Sequence, residues 1–237
     1  MDRAPRRLVD SLLILPLTVA AIAVMCYHPG LEDDGIYLSA VKAGLNPALY
    51  PHDADFVRLQ VQATLFDEFV SGFVRLTHLP VAWTELLGQF LALYTILWAG
   101  YRIAQRLFAE RQAQWAGVAL LAAMFTLPVA GTALNLADQH LHPRTLATAL
   151  ILTAIDRVLA RRIGQAVGFL LIAMLMHPIM AALGISFCFF LAVALTDSMY
   201  ARLTRPTRAL PAGVPLEPWP CCLLVALRRG SPPAGWW

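Results

Sequence analysis

The feature that most constrains this chain is a series of apolar runs, each close to the length needed to cross a lipid bilayer. A hydrocarbon core of about 30 Å requires about 20 apolar residues in a helix, and only helices or closed barrels satisfy every backbone polar group in lipid. Such runs cover residues 9–27, 82–101 and 115–134, and a shorter one covers residues 145–160. The pattern predicts an all-α fold, a polytopic transmembrane helical bundle.

The composition favours the same class of protein. Hydrophobic residues make up 59% of the chain and charged residues only 14%, whereas a soluble domain has about 25% charged residues. Lipid is therefore expected to cover much of the outside. The net charge of +3 is small and the basic residues are scattered, which excludes the clustered basic face of a nucleic-acid-binding protein. The predicted partner is the lipid bilayer.

Arginine clusters predict the orientation of the spans. Basic loops next to membrane spans stay on the cytoplasmic side, and every second connection of this chain is basic, starting with the N-terminus. We therefore expect a multi-pass membrane protein with a cytoplasmic N-terminus. The clusters are Arg3, Arg6 and Arg7; Arg102, Arg106 and Arg111; Arg157, Arg161 and Arg162; and Arg202, Arg205 and Arg208.

The apolar segment 163–198 is too long for one span, and the dipeptide His177-Pro178 divides it. Two crossings keep the last arginine cluster on the cytoplasmic side, whereas one long helix would place it outside. We therefore predict spans at 163–176 and 179–198, which brings the total to about six.

The predicted domain 1–202 has one large outer loop, residues 28–80. Within it, the sequence from Phe56 to Leu76 has apolar residues at helical spacing, which predicts an amphipathic helix at the membrane interface. Residues 203–237 contain seven prolines. They are expected to be a disordered tail or the truncated or frame-shifted end of a longer membrane protein.

Polar residues from separate parts of the chain would meet at the outer face in this topology. The first group, His28, Glu32, Asp33 and Asp34, directly follows the first span. Neighbouring carboxylates raise one another's pKa, which suits a general base, and they also suit a divalent cation of unassigned identity. A solvated acidic loop that ends the helix explains the same pattern equally well.

The second group lies in the segment from Asp138 to Arg144. The alternating His140 and His142 would share one side of an extended loop and bind a metal or phosphate oxygens, and Arg144 would add a forked phosphate donor. A short polar turn, with Arg144 reaching the lipid headgroups, is the alternative. His177 is an ionisable group near membrane depth, although capping of the helix break also explains it.

The other ionisable residues and the known sequence motifs indicate no further functional site. Asp10, Glu85 and Asp156 lie near the ends of predicted spans and are expected at the membrane interface. The sequence contains no Walker-type phosphate loop, no GxGxxG, no HExxH, no GxSxG and no CxxC motif. Soluble nucleotide-driven chemistry is therefore not predicted.

Taken together, these features resemble the GT-C superfamily of membrane glycosyltransferases. The likeness covers about residues 8–200 and lies in one short span, a large first outer loop that opens with acidic residues, and further spans joined by short loops. The pattern from His28 to Tyr50, with Glu32-Asp33-Asp34 and the later Pro47-x-x-Tyr50-x-x-Asp53, also looks like uncharacterised bacterial relatives of that superfamily, as do His142-Pro143-Arg144 and His177-Pro178. This resemblance implies a location in the bacterial inner (plasma) membrane.

The resemblance implies transfer of a glycosyl group from a polyprenyl-phosphate sugar at the outer face. Carried over by position, Asp33 or Asp34, with Glu32 beside them, would be the base or a cation ligand. The residues that would contact the donor phosphate are His28, His140, His142, Arg144 and His177. The alternative is a non-enzymatic membrane protein, a transporter fragment or a structural subunit, whose acidic loop binds ions or partners.

Overall fold

The computed structural model describes residues 3–30, 33–125, 127 and 136–195. Every regular element in these ranges is a helix and none is a strand, which confirms the all-α prediction. Glu32 and the predicted tail 203–237 lie outside the described residues. The helices are α1 (Arg3–Met25), α2 (Asp34–Leu45), a short 3₁₀ helix (Pro47–Leu49), α3 (Ala54–Val61), α4 (Phe66–Thr77), α5 (Val81–Leu107), α6 (Arg111–Ala123), α7 (Pro143–Leu159), α8 (Ile163–Met176) and α9 (Pro178–Ala194).

Six of these helices, α1 and α5 to α9, overlap the predicted apolar runs. Residues 126 and 128–134 of the third predicted span and residues 196–198 of the last lie outside the described residues. Within the described ranges, α5 is the one helix that is both long enough and apolar enough to cross a membrane. Val9–Met25 of α1, together with α8 and α9, is apolar but shorter. The predicted break at His177-Pro178 is confirmed, since α8 ends and α9 begins there. The six-span arrangement itself stays a prediction.

Contacts between helix ends show which ends lie on the same side of the bundle. Helices α1 and α6 start together, because Arg111 Nη2 lies 2.9 Å from Asp10 Oδ1. Helices α5 and α7 end together, because Arg106 Nε lies 2.6 Å from Asp156 Oδ1. The three-residue connection 108–110 joins these two pairs. We call this side the arginine end. The other side, where α1 and α8 end and α5, α7 and α9 begin, is called the histidine end.

Two apolar clusters hold the bundle together. One joins α1, α5 and α6, and the other joins α7, α8 and α9. The second is built on fully buried alanines, so the backbones of its helices approach closely. At Gly184 of α9 an added Cβ would lie 2.7 Å from Cγ1 of Ile151 in α7. Small residues therefore set the spacing between α7 and α9.

The segment 28–80, predicted as the outer loop, departs from the prediction of one amphipathic helix over 56–76. That prediction is wrong, because α3 ends at Val61 and α4 begins at Phe66. The Leu65 N–H donates to the carbonyl oxygen of Leu175 in α8 at 2.9 Å. This long-range bond turns the chain so that Phe66 and Val70 pack in a buried cluster with Val41 of α2. Helix α2 itself was not predicted.

Candidate functional site

Polar side chains from four segments meet at the histidine end. The backbone N–H of His28, just after α1, donates to the carbonyl oxygen of Gln139 at 3.0 Å. This bond fastens the loop that leads into α2 to the loop that leads into α7. The α8–α9 junction reaches the same place, because the rings of His142 and His177 lie 6.4 Å apart. We call the following side chains the histidine-end cluster: Asp34, Glu85, Asp138, His140, His142, Arg144 and His177.

Asp34 is the buried carboxyl of the acidic loop. It lies in the first turn of α2 with 1% of its surface exposed, and its carboxylate accepts the backbone N–H of Gly30. Gly30 has φ +83°, a left-handed conformation that glycine adopts without strain. Burial raises the pKa of Asp34, while the Gly30 N–H and the charges of His140 and Lys42 oppose that shift. A buried carboxyl with a raised pKa is suited to proton transfer.

Asp33 and His28 lie at the edge of this arrangement. Both are exposed, and His28 Nδ1 bonds the carbonyl oxygen of Cys26. Within the described ranges, no three His, Cys, Asp or Glu side chains form a group that could hold a metal ion. Asp34 is therefore buried in the cluster, whereas the adjacent Asp33 is exposed. The described part of the chain contains no set of ligands for the predicted divalent cation.

Asp138 holds Arg144 in a fixed orientation. The Arg144 guanidinium donates to both carboxylate oxygens, with Nε 3.3 Å from Oδ2 and Nη2 in contact with Oδ1. The Thr145 hydroxyl donates to Oδ2 at 3.2 Å, and Gln89 Nε2 of α5 donates to the backbone oxygen of Asp138 at 2.7 Å. A guanidinium has five N–H donors, so Arg144 keeps donors for an anionic ligand.

His142 is a neutral, buried imidazole. Its Nδ1 accepts the backbone N–H of Arg144 at 3.0 Å, which caps α7 and leaves the ring proton on Nε2. The Tyr37 ring packs edge-on against it at 4.9 Å. Burial lowers the pKa of His142 to about 4, although the charge of Asp138 acts in the opposite direction. At neutral pH the ring is therefore a hydrogen-bond donor without charge.

His177 and His140 have different surroundings. His177 Nδ1 accepts the backbone N–H of Met180 at 3.3 Å and so caps α9. His140 is buried, and its Nε2 has no hydrogen-bond partner within the described residues, like the hydroxyl of Tyr27. Because an unpaired buried polar atom costs about 1–3 kcal/mol, these two atoms are suited to bind a polar group of a ligand.

Glu85 is the member of the cluster whose role the sequence did not indicate. Its expected position at the membrane interface stays a prediction, and in the structure the side chain is buried and interacts electrostatically with Asp34. Asp10 and Asp156, for which the same expectation was made, are also buried and pair with arginines. The sequence feature that could have indicated Glu85 is its position, because it places a carboxylate one helical turn inside an apolar run.

An apolar groove of about 620 Å³ adjoins the histidine-end cluster. It runs between α4, α5, α7 and α8. Met176 in its wall directly precedes His177, and Leu146 lies one turn after His142. The other lining residues are Leu65, Glu68, Phe69, Leu91, Ala92, Thr95, Ala149, Leu150, Ile172 and Leu175.

Comparison of the chain with family models, with curated proteins and with solved structures gives no match.

Proposed function

We propose that this chain is a multi-pass inner-membrane protein of the GT-C type, which transfers a glycosyl group from a polyprenyl-phosphate sugar at the membrane face that carries the histidine end. The observation that supports this most directly is the convergence of a buried carboxyl, an oriented guanidinium and a buried neutral imidazole beside an apolar groove.

The membrane location is supported by exposed apolar surface. In α9, Ile179, Leu183, Phe189 and Phe190 are between 62% and 72% exposed. Soluble monomers rarely expose apolar patches of this extent, whereas lipid would cover them. The orientation is supported by the arginine end, because basic residues next to spans favour the cytoplasmic side. The histidine end would then face outward.

The donor would bind with its phosphate at Arg144 and its isoprenoid chain in the apolar groove. Arg144 is fixed by Asp138 and has donors for phosphate oxygens, and the neutral ring of His142 lies beside it. The groove is lined almost entirely by apolar side chains, as an isoprenoid requires. The groove and the phosphate donors would together select a lipid-linked phosphate over a soluble one.

Asp34 would act as the general base. It would accept the proton of the acceptor hydroxyl while that oxygen bonds to the anomeric carbon, and the bond from the anomeric carbon to the phosphate oxygen would break. The leaving polyprenyl phosphate would keep the electron pair and remain at Arg144. The geometry supports Asp34 over Asp33, because Asp34 is buried within the cluster and Asp33 is exposed.

This proposal is tested by incubating the purified 237-residue chain with a panel of undecaprenyl-phosphate hexoses that carry labelled sugars. We expect sugar transfer, or slow release to water, and we expect undecaprenyl phosphate alone to raise the thermal unfolding temperature. Asp34→Asn should lower the rate by about 10²–10⁴-fold, while Asp55→Asn, an exposed carboxylate of α3, should leave it unchanged. Unfolding curves of both variants show whether they remain folded.

Two results would contradict the proposal. If Asp34→Asn does not lower the rate, the assignment of Asp34 as the base is wrong, and if Asp33→Asn does not lower it either, neither carboxylate is the base. If no donor reacts and undecaprenyl phosphate gives no stabilisation, the non-enzymatic alternative takes its place.

A further inference from the structure

Three side chains at the histidine end each have a buried polar atom without a hydrogen-bond partner among the described residues. The atoms are the hydroxyl oxygen of Tyr27, Oε1 of Gln89 and Nε2 of His140. Gln89 and His140 are only 1% and 4% exposed, so bulk water does not reach them. Because buried polar atoms in folded proteins are nearly always paired, three unpaired atoms in one part of the bundle indicate a bound polar group.

The three side chains converge on the loop that leads into α7. Gln89 Nε2 donates to the backbone oxygen of Asp138 at 2.7 Å. Because a carbonyl oxygen only accepts hydrogen bonds, this bond fixes Oε1 as the free end of the Gln89 amide. The backbone N–H of the residue after Tyr27 donates to the carbonyl oxygen of Gln139 at 3.0 Å. His140 is the next residue of this loop, so α1 and α5 are both fastened to the segment that carries it.

The proposed base, Asp34, lies beside the same atoms. His140 and Tyr27 both interact electrostatically with the Asp34 carboxyl, and Tyr27 also interacts with Glu85. Glu85 and Gln89 are four residues apart in α5 and therefore share one face of that helix. A group bound to the three unpaired atoms would thus lie next to the carboxyl that accepts a proton in the proposed reaction.

The hydrogen-bonding character of the three atoms indicates which kind of group they bind. Gln89 Oε1 can only accept a hydrogen bond, the Tyr27 hydroxyl can donate one, and His140 Nε2 does either, according to its tautomer. A phosphate diester has no proton to donate to Gln89, and a metal cation or an ammonium group has no acceptor for the Tyr27 proton. An alcohol hydroxyl both donates and accepts, so hydroxyl groups match the whole set.

We propose that Tyr27, Gln89 and His140 bind hydroxyl groups of the substrate beside Asp34. The inference rests on the proposed glycosyl transfer, in which the sugar of the donor and the acceptor both carry hydroxyls. It identifies side chains that select the sugar or the acceptor. His140 was predicted to contact the donor phosphate, and the mixed donors and acceptors around it assign it to a hydroxyl group instead.

Tyr27→Phe tests this inference, because it removes a single unpaired hydroxyl. Since that hydroxyl has no partner in the described part of the chain, the thermal unfolding temperature of the ligand-free variant should not fall. The loss of one neutral hydrogen bond to the substrate corresponds to about a 3–10-fold effect. Tyr94→Phe is the matched control. It removes the hydroxyl that lies 3.5 Å from the carbonyl oxygen of Ser11 in α1, and it should change neither of the quantities measured below.

Two measurements on the purified 237-residue chain distinguish donor hydroxyls from acceptor hydroxyls. The first is the affinity for an undecaprenyl-phosphate hexose, compared with undecaprenyl phosphate, by native mass spectrometry in a neutral detergent. The second is the ratio of sugar transfer to glycerol and to water. If donor hydroxyls bind here, Tyr27→Phe weakens binding of the hexose-bearing lipid alone. If acceptor hydroxyls bind here, it lowers the glycerol-to-water ratio and leaves donor affinity unchanged.

Three outcomes would overturn the inference. No change of either quantity in Tyr27→Phe would mean that water alone satisfies the unpaired atoms. An equal effect of Tyr94→Phe would mean that the effect is not specific to this set. A lower unfolding temperature of ligand-free Tyr27→Phe would mean that the hydroxyl has a structural partner.

Failure of the proposed function gives a different pattern. If no donor releases its sugar while Tyr27→Phe still weakens binding of the hexose-bearing lipid, glycosyl transfer is wrong and the hydroxyl site remains. If sugar is transferred and neither quantity changes, glycosyl transfer remains and the hydroxyl site is wrong. Unchanged donor affinity together with no transfer would contradict both.

Discussion

Replacing Asp138 with asparagine tests whether its pair with Arg144 holds the histidine end together. The carboxylate is 9% exposed and accepts the Arg144 guanidinium on both oxygens. Asparagine keeps the shape of the side chain but leaves the guanidinium charge uncompensated. Breaking a buried pair in this way costs about 3–5 kcal/mol. Because the Arg144 side chain is 19% exposed, water recovers part of this loss, and we expect about 2–3 kcal/mol.

The assay is equilibrium unfolding of the purified protein in mixed detergent micelles, followed by tryptophan fluorescence. A double-mutant cycle with Arg144→Gln isolates the pair, and the two losses should be less than additive by at least about 1 kcal/mol. Asp55→Asn, at an exposed site, should change the free energy of unfolding by less than about 0.5 kcal/mol. Additive losses, or a loss below about 0.5 kcal/mol for Asp138→Asn, would refute the reasoning.

Three further predictions concern packing and pH. Gly184→Ala should destabilise the protein by about 1–3 kcal/mol, because the new Cβ would contact the β-branched Ile151. Gly168→Ala should not destabilise it, because the space around Gly168 is open. Thermal melts of the two variants measure this difference. The pKa of His142 is lowered to about 4 in the folded protein, below about 6.5 in the unfolded chain. This difference corresponds to about 3 kcal/mol in the free energy of unfolding, which is present above pH 6.5 and lost as pH falls towards 4. Unfolding at pH 7 and pH 4 should show that His142→Gln loses less stability on acidification than the wild type. Burial and the neighbouring Glu68 raise the pKa of Asp67 to about 6, so ionisation of this carboxyl is unfavourable in the folded protein. Asp67→Asn should therefore stabilise the protein at pH 7 and not at pH 4. Equal effects at both pH values would contradict this prediction.

The helices were largely predictable because their determinants are local. The break between α8 and α9 follows from Pro178, which lacks an N–H and commonly starts a helix, and the position of α5 follows from one apolar run. The break between α3 and α4 was not predictable in this way. Apolar spacing continues through the interruption at residues 62–65, and the bond from Leu65 to Leu175 at this point joins residues that are far apart in the sequence, so no local pattern encodes it.

The candidate site was predictable in its parts but not in its internal arrangement. His142, Arg144 and His177 were selected as polar residues at the same expected face, and the structure brings their helix ends together. Asp33 and Asp34 could not be distinguished in the sequence, because neighbouring residues differ by about 100° around a helix. That rotation buries Asp34 and leaves Asp33 exposed.

The two ends of the bundle differ in whether the charge of their side chains can change with pH. At the histidine end, burial favours the neutral forms of both Asp34 and His142, and the charge of Arg144 is balanced by Asp138. A phosphate bound at Arg144 would add negative charge beside His142 and favour its protonation, so binding of an anionic donor and uptake of a proton would be coupled. At the arginine end, by contrast, the guanidinium groups keep their charge at every physiological pH. The proton-dependent chemistry proposed for this chain therefore belongs at the histidine end.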